Sequence, residues 1–194
     1  NLDPNIVGDH KVIINKYDAK DPDSAEAWVK NTKDSFGGFD SVINCAGVFY
    51  RTRFLFSDKE YPEIDELWKV NVIAPWILTK EAWPEISTHG EGRVIFLVSM
   101  SGKRSKGNLA GYSMSKFALM GLCQTIRNEG WDNGVRVSAI CPSWVNTDMA
   151  SAIKSISREK MTQPKDIASI TSKLLELPNT CVPFEISINC NLEK

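Results

Sequence analysis

Val94-Ile95-Phe96-Leu97-Val98 is apolar at every position, so both faces of this run need cover whichever way its side chains alternate. A strand with one wet face reads apolar, polar, apolar. This one does not, and it belongs near the middle of a parallel sheet with helices packed on each side. Other runs that read as strands are Val12–Ile14, Ser41–Cys45, Val135–Cys141 and Phe184–Ile188. Helical spacing fills the intervals. One helix is expected over Ala25–Ser35, capped by Ser24 and closed by Gly37-Gly38. A long one is expected over Ile64–Ile86, where Pro75 should bend it or force a local adjustment. Two more are expected, over Tyr112–Glu129 and from Pro164 to Leu177. Strand and helix therefore alternate along the chain, which predicts a single α/β domain over 1–194 built on a doubly wound parallel sheet.

Composition narrows the partners. Of 194 residues, 42% are hydrophobic and the formal net charge is -1, so neither nucleic acid nor an anionic membrane surface is an expected partner. No apolar run reaches the ~20 residues that cross a bilayer. Five cysteines, an odd number without Cys-x-x-Cys spacing, suggest reduced and mostly buried thiols in a cytoplasmic protein. No metal ligand set is assigned.

The chemistry is concentrated after the apolar strand. Ser99 is followed thirteen positions later by Tyr112, and Lys116 stands four beyond it. A free phenol titrates near ~10. A lysine one helical turn away lies on the same face, and its charge favours the phenolate. Such a pair supplies a proton donor or acceptor near neutral pH.

In order and spacing, Asp18, Asn44-Cys45-Ala46-Gly47, Asn71, Ser99, Tyr112, Lys116 and Pro142–Thr147 resemble the short-chain dehydrogenase/reductase family over essentially the whole chain. The resemblance implies a Rossmann-type fold and hydride transfer between NADP or NAD and a small-molecule carbonyl or alcohol. It assigns Tyr112 as general acid or base and Ser99 as the hydroxyl that holds the substrate oxygen. Lys116 would bond the nicotinamide ribose and lower the phenol's pKa, and Asn71 would anchor a water in a proton relay. Cofactor contacts are implied for Asp18 and Ala19, Asn44, Ala46 and Gly47, Tyr112 and Lys116, and Pro142, Val145 and Thr147. Asp18 has an equally ordinary use in capping the following turn. Cys45, where the family more often has Asn, reads as an inert buried thiol. Ser143 replaces the usual Gly. Val48, Phe49, Met100, Trp144 and Met149 either line an apolar substrate pocket or pack as core and lid.

Two expected pieces are missing from these residues. No Gly-x-x-x-Gly-x-Gly run precedes Asp18, and the strands numbered 1 and 2 in the family's order 3-2-1-4-5-6-7 have no counterpart. The expectation is a domain incomplete at its N-terminus. Placing Val12–Ile14 as strand 3 would leave a gap of about 14 Å beside Ser41–Cys45, at about 4.8 Å per strand. A non-catalytic binding or regulatory protein of the same fold is the alternative to an enzyme, and a partner-binding scaffold is a third reading. Trp68, Trp76 and Trp83 on the long helix fit a homodimer or homotetramer, because family members pair through this helix and the Tyr112 helix.

Overall fold

The computed structural model describes residues 12–151 and 153–190. Four strands, β1 (Ser41–Asn44), β2 (Arg93–Leu97), β3 (Arg136–Pro142) and β4 (Glu185–Ile188), form one sheet in the order β1-β2-β3-β4, every pair parallel. The helices are α1 (Pro22–Phe36), α2 (Tyr61–Trp68), α3 (Ala74–Ile86), α4 (Ala110–Gly130) and α5 (Pro164–Glu176). On one face Val42, Val94, Phe96 and Val137 pack with Ala82 of α3 and Leu119 and Cys123 of α4. On the other, Ile95 and Ile140 meet Ile167 and Leu174 of α5. This two-sided cover explains why β2 carries no polar residue after Arg93: Val94, Ile95 and Phe96 are each at most 1% exposed.

Val12–Ile14 is not a strand. Val12 and Ile14 are 45% and 74% exposed, and β1 is the edge of the sheet. β-branched residues favour extended backbone, but a strand exists only where a neighbour completes its ladder, and no described strand lies beside this segment. The expected gap therefore does not arise. On β1, Val42 faces the covered side, whereas Ile43 is 43% exposed because α5 covers only the β2–β4 end.

Local signals place the helix ends. Asp21, not Ser24, caps α1: its carboxylate accepts the Asp23 N–H at 3.1 Å, and Pro22 takes the first helical position, where a missing N–H is harmless. Ser24 Oγ instead accepts the Asp18 N–H at 2.8 Å. Gly37 closes the helix at φ 81°. The adjustment expected around Pro75 is a π turn over Lys69–Ile73 that joins α2 to α3 without a break. Ala74 N–H donates five residues back, to the Lys69 carbonyl, immediately before the residue that has no N–H to offer. Asn71 sits inside this widened turn, buried. Among the described residues, no helix is long and apolar enough to cross a membrane.

Candidate active site

The C-terminal ends of β1, β2 and β3 open into one cleft of about 310 Å³. This is where a doubly wound sheet presents its ligand site. Ser99 follows the end of β2 and Tyr112 stands in the first turn of α4. Both line the cleft with Lys116 one turn further on. The start of α4 is tied down from outside: Ala110 N–H donates to the Thr52 carbonyl at 2.9 Å and Gly111 N–H to Thr52 Oγ1 at 2.8 Å. A side chain on Gly111 would come within 2.9 Å of that hydroxyl oxygen, so only glycine lets the loop and helix approach this closely. Thr52 is wholly buried. Nothing in the sequence singled it out, because its partners are backbone groups far along the chain, the Gly111 N–H being 59 residues away.

Tyr112 is 8% exposed and lines the cleft with Ser99. Burial pushes the phenol above its ordinary value, and the Ser99 side chain pulls the other way. Lys116 Nζ lies 5.8 Å from the Tyr112 ring centroid and donates to the Leu97 carbonyl at 3.0 Å. Its own pKa is lowered to about 8, chiefly because burial disfavours the ammonium. The phenol thus moves opposite to the direction expected from Lys116. In a pocket closed over both groups, loss of water disfavours each charged form.

Asn71 lies behind this pair. Its Oδ1 accepts the Val48 N–H at 2.9 Å, and its Nδ2 donates to the Val48 carbonyl and to Ser115 Oγ, each at 3.0 Å. Ser115 Oγ donates in turn to the Tyr112 carbonyl at 2.8 Å. The π turn of one helix, the loop after β1 and the backbone beneath Tyr112 are thus joined through two side chains. Ser115 stands beside Lys116 but carries no signal of its own in the sequence. Gly47 passes over the same spot, where an added Cβ would sit 3.3 Å from Asn71 Oδ1 and 3.8 Å from Lys116 Nζ. That absent methyl is space beside the ammonium, and a ribose of a dinucleotide is the kind of group that needs it.

Not every residue expected at the cofactor comes to this cleft. Gly47, Pro142, Val145 and Thr147 line it with Tyr112 and Lys116, and Cys45 does as well. Cys45 is exposed, against the expectation of burial, because it follows the alternation of β1 onto the side of Ile43, which α5 does not cover. Cys123, Cys141 and Cys190 are buried as expected, and Cys181 is exposed. Asn44 is buried and turned toward α3, donating to Thr79 Oγ1 at 3.1 Å. Ala46 is exposed outside the cleft lining. Asp18 caps its own turn, accepting the Lys20 N–H at 2.9 Å, and Ala19 lines a second hollow beside Trp68 and Lys69. Val48, Phe49, Met100, Trp144 and Met149 all line the main cleft. Phe49 packs edge-on against Tyr112, with centroids 4.8 Å apart, and against Trp144 at 6.5 Å.

Comparison with known proteins agrees with this geometry. The family described as short chain dehydrogenase matches residues 5–157. Agropine synthesis reductase of Rhizobium rhizogenes is 37% identical over 178 residues, covering 92% of this chain and 41% of that protein. The chain thus spans about two fifths of the agropine synthesis reductases it matches. Oxidoreductase UcpA of Escherichia coli (strain K12) is 30% identical over 91% of this chain and 66% of its own length. Among solved structures, an alcohol dehydrogenase from the archaeon Thermococcus sibiricus, complexed with 5-hydroxy-NADP, superposes with a TM-score of 0.86. It is 24% identical, and the match covers 98% of this chain and 80% of that one, a likeness of fold. The matched residues take in β1 to β3, the π turn and the Ser99–Lys116 segment together, and the chain belongs to the short chain dehydrogenase family.

Proposed function

We propose that the protein is an NAD(P)-dependent oxidoreductase that interconverts a carbonyl and an alcohol, with Tyr112 as the general acid and base. The observation that carries this reading is the convergence of Tyr112, Ser99 and Lys116 at the sheet's C-terminal rim, in an apolar cleft large enough for a small molecule. A bound nicotinamide supplies or accepts the hydride, that is, both electrons of the reaction. The chain's own groups handle the proton. In reduction, the Ser99 hydroxyl and the Tyr112 phenol bond the carbonyl oxygen, and Tyr112 gives up its proton as charge develops there. Burial keeps the phenol protonated and ready to donate. In oxidation the same oxygen returns as base.

The residues fit a nicotinamide nucleotide. Lys116 has the Leu97 carbonyl as its hydrogen-bond acceptor among the described residues. An ammonium carries three N–H donors, so ribose hydroxyls suit those that remain. Gly47 leaves the room for them. Val145 and Thr147 border the far side of the cleft, where the carboxamide and phosphates would rest. NADP and NAD are both proposed, since the strand whose end would choose between them has no counterpart among these residues. The relatives named as reductases, and the NADP-complexed neighbour of like fold, support the class.

Pairing of copies is part of the proposal. Trp68, Trp76, Met114 and Phe117 of the α2–α3 and α4 helices are 43–58% exposed, an unusual amount of bare apolar surface for a monomer. Light scattering that gave a monomer would remove it. The central reading is tested by following NADPH and NADH oxidation with a panel of ketones. Tyr112→Phe should lower kcat by about 10²–10⁴-fold while the fold is kept. A Phe variant as active as the wild type would overturn the mechanism.

A further inference from the structure

Phe49 belongs to none of the polar groups that handle the proton, yet its ring meets the Tyr112 ring at 78° with centroids 4.8 Å apart. It also meets Trp144, at 82° and 6.5 Å. The segment that carries it is tied to a helix at every second residue. Val48 engages the Asn71 amide of the π turn with both its backbone groups. Tyr50 Oη donates to Glu66 Oε2 of α2 at 2.8 Å, and Thr52 holds the start of α4. A side chain set between such ties does not swing as a lid. Phe49 is half-buried and lines the cleft, so it stands as a fixed wall beside the phenol. An edge-to-face pair of rings has a preferred geometry that an aliphatic neighbour does not impose.

Burial, not charge, raises the Tyr112 phenol. Among the described residues no aspartate or glutamate lines the cleft. The titratable groups that border it with Tyr112 are Lys116, Cys45, and Arg104 and Lys106 of the loop before α4. Lys103 of that loop turns away to Glu185. On the α2–π segment packed against α4, Glu66 accepts from Tyr50 and Lys20, Asp65 pairs with Lys69, and Glu63 lies toward Tyr50. Burial pushes the thiols of Cys123 on α4 and Cys141 on β3 up, so both are uncharged near neutral pH. The dry cover of the phenol is therefore what a substitution must remove, and Phe49 supplies part of it.

Resting on the carbonyl–alcohol reading above, we infer that Phe49 is a positioning residue for the proton transfer: its ring fixes the Tyr112 ring and keeps water from the phenol. It acts through Tyr112 and moves no proton itself. Without the ring, water reaches the phenol, and hydration favours the phenolate. Tyr112 then titrates at lower pH. The hydroxyl also loses its aim at the carbonyl oxygen, which costs rate rather than dinucleotide binding.

The phenol is titrated by ultraviolet difference spectroscopy, each protein against its own Tyr112→Phe counterpart, which cancels the signals of Tyr17, Tyr50 and Tyr61. The series is wild type, Phe49→Leu, Phe49→Val and Phe49→Ala, with folding followed by circular dichroism across the pH range. The Tyr112 pKa should fall stepwise as apolar cover shrinks, by about one unit in Phe49→Ala. Should that variant not fold, Phe49→Leu and Phe49→Val carry the series. With a ketone that the wild type reduces, kcat should fall about tenfold in Phe49→Ala while the dinucleotide KM changes less than about twofold. An unmoved titration across the series would overturn the inference. A dinucleotide KM that rose as much as kcat fell would overturn it too, assigning Phe49 to the cofactor. The titration needs no substrate, so the two failures are distinct: absence of turnover with every carbonyl tried would remove the carbonyl reading, and Phe49's part in the proton transfer with it, whatever the titration gave.

Discussion

Replacing Lys116 by methionine should make the protein more stable and abolish its activity. The ammonium is 5% exposed, and its pKa drops from an ordinary 10.5 to about 8 because burial disfavours the charge. A displacement of that size amounts to about 3 kcal/mol of destabilisation at pH 7, at ~1.4 kcal/mol per unit. Methionine has nearly the same length and carries no charge, so it removes this penalty. It also leaves the Leu97 carbonyl without its 3.0 Å donor, a loss of about 1 kcal/mol. The net gain at pH 7 is about 2 kcal/mol. The sign with pH follows from proton counts. Between pH 8 and 10.5 the unfolded chain holds the lysine proton and the folded one releases it, so wild-type stability rises across that window. The methionine variant lacks this rise, and the two stabilities should converge at about pH 10. Urea denaturation of both proteins at pH 7, 8, 9 and 10 measures the difference directly. A variant less stable than wild type at pH 7, or a difference that did not shrink with pH, would show that the buried ammonium is fully compensated and refute the argument.

Two further substitutions probe how the site is held. Gly47→Ala puts a methyl 3.3 Å from Asn71 Oδ1 and 3.8 Å from Lys116 Nζ. Thermal melting should drop modestly, because Asn71 is held by three hydrogen bonds and has to shift, and the dinucleotide KM should rise about tenfold as the space beside the ammonium fills. Thr52→Val keeps the shape of a wholly buried side chain but removes the acceptor of the Gly111 N–H. Stability should fall by about 1–3 kcal/mol. kcat should fall more than KM changes, because the start of α4 positions Tyr112. Full activity in Thr52→Val would mean that the helix is placed by packing alone.

The elements that were legible are those whose signal is local. Val94–Val98 announced a strand covered on both faces, and the structure buries β2 on both faces. Pro75 announced a disturbance, and the π turn stands immediately before it. Tyr112 and Lys116, one helical turn apart, meet in the cleft as that spacing requires. What failed depended on distant chain. Val12–Ile14 has the residues of a strand but no described neighbour to pair with. Cys45, an ordinary candidate for burial, is exposed because α5, which covers one face of the sheet, stops short of β1. Asn44 has the type and position of a cofactor contact, yet its amide is taken by Thr79 across the sheet–helix boundary.

By itself, then, the chain's pattern determined where strands and helices lie and which hydroxyl, phenol and amine would gather, since apolar period and helical spacing act over a few residues. Only the folded molecule decided how those groups are tuned and held. Burial raises the Tyr112 phenol where the neighbouring cation was expected to lower it, and Thr52 pins a helix start 59 residues further along the chain. Two loop cations border the cleft while a third turns outward. Desolvation and long-range hydrogen bonds belong to a three-dimensional environment, and no short window of sequence contains them.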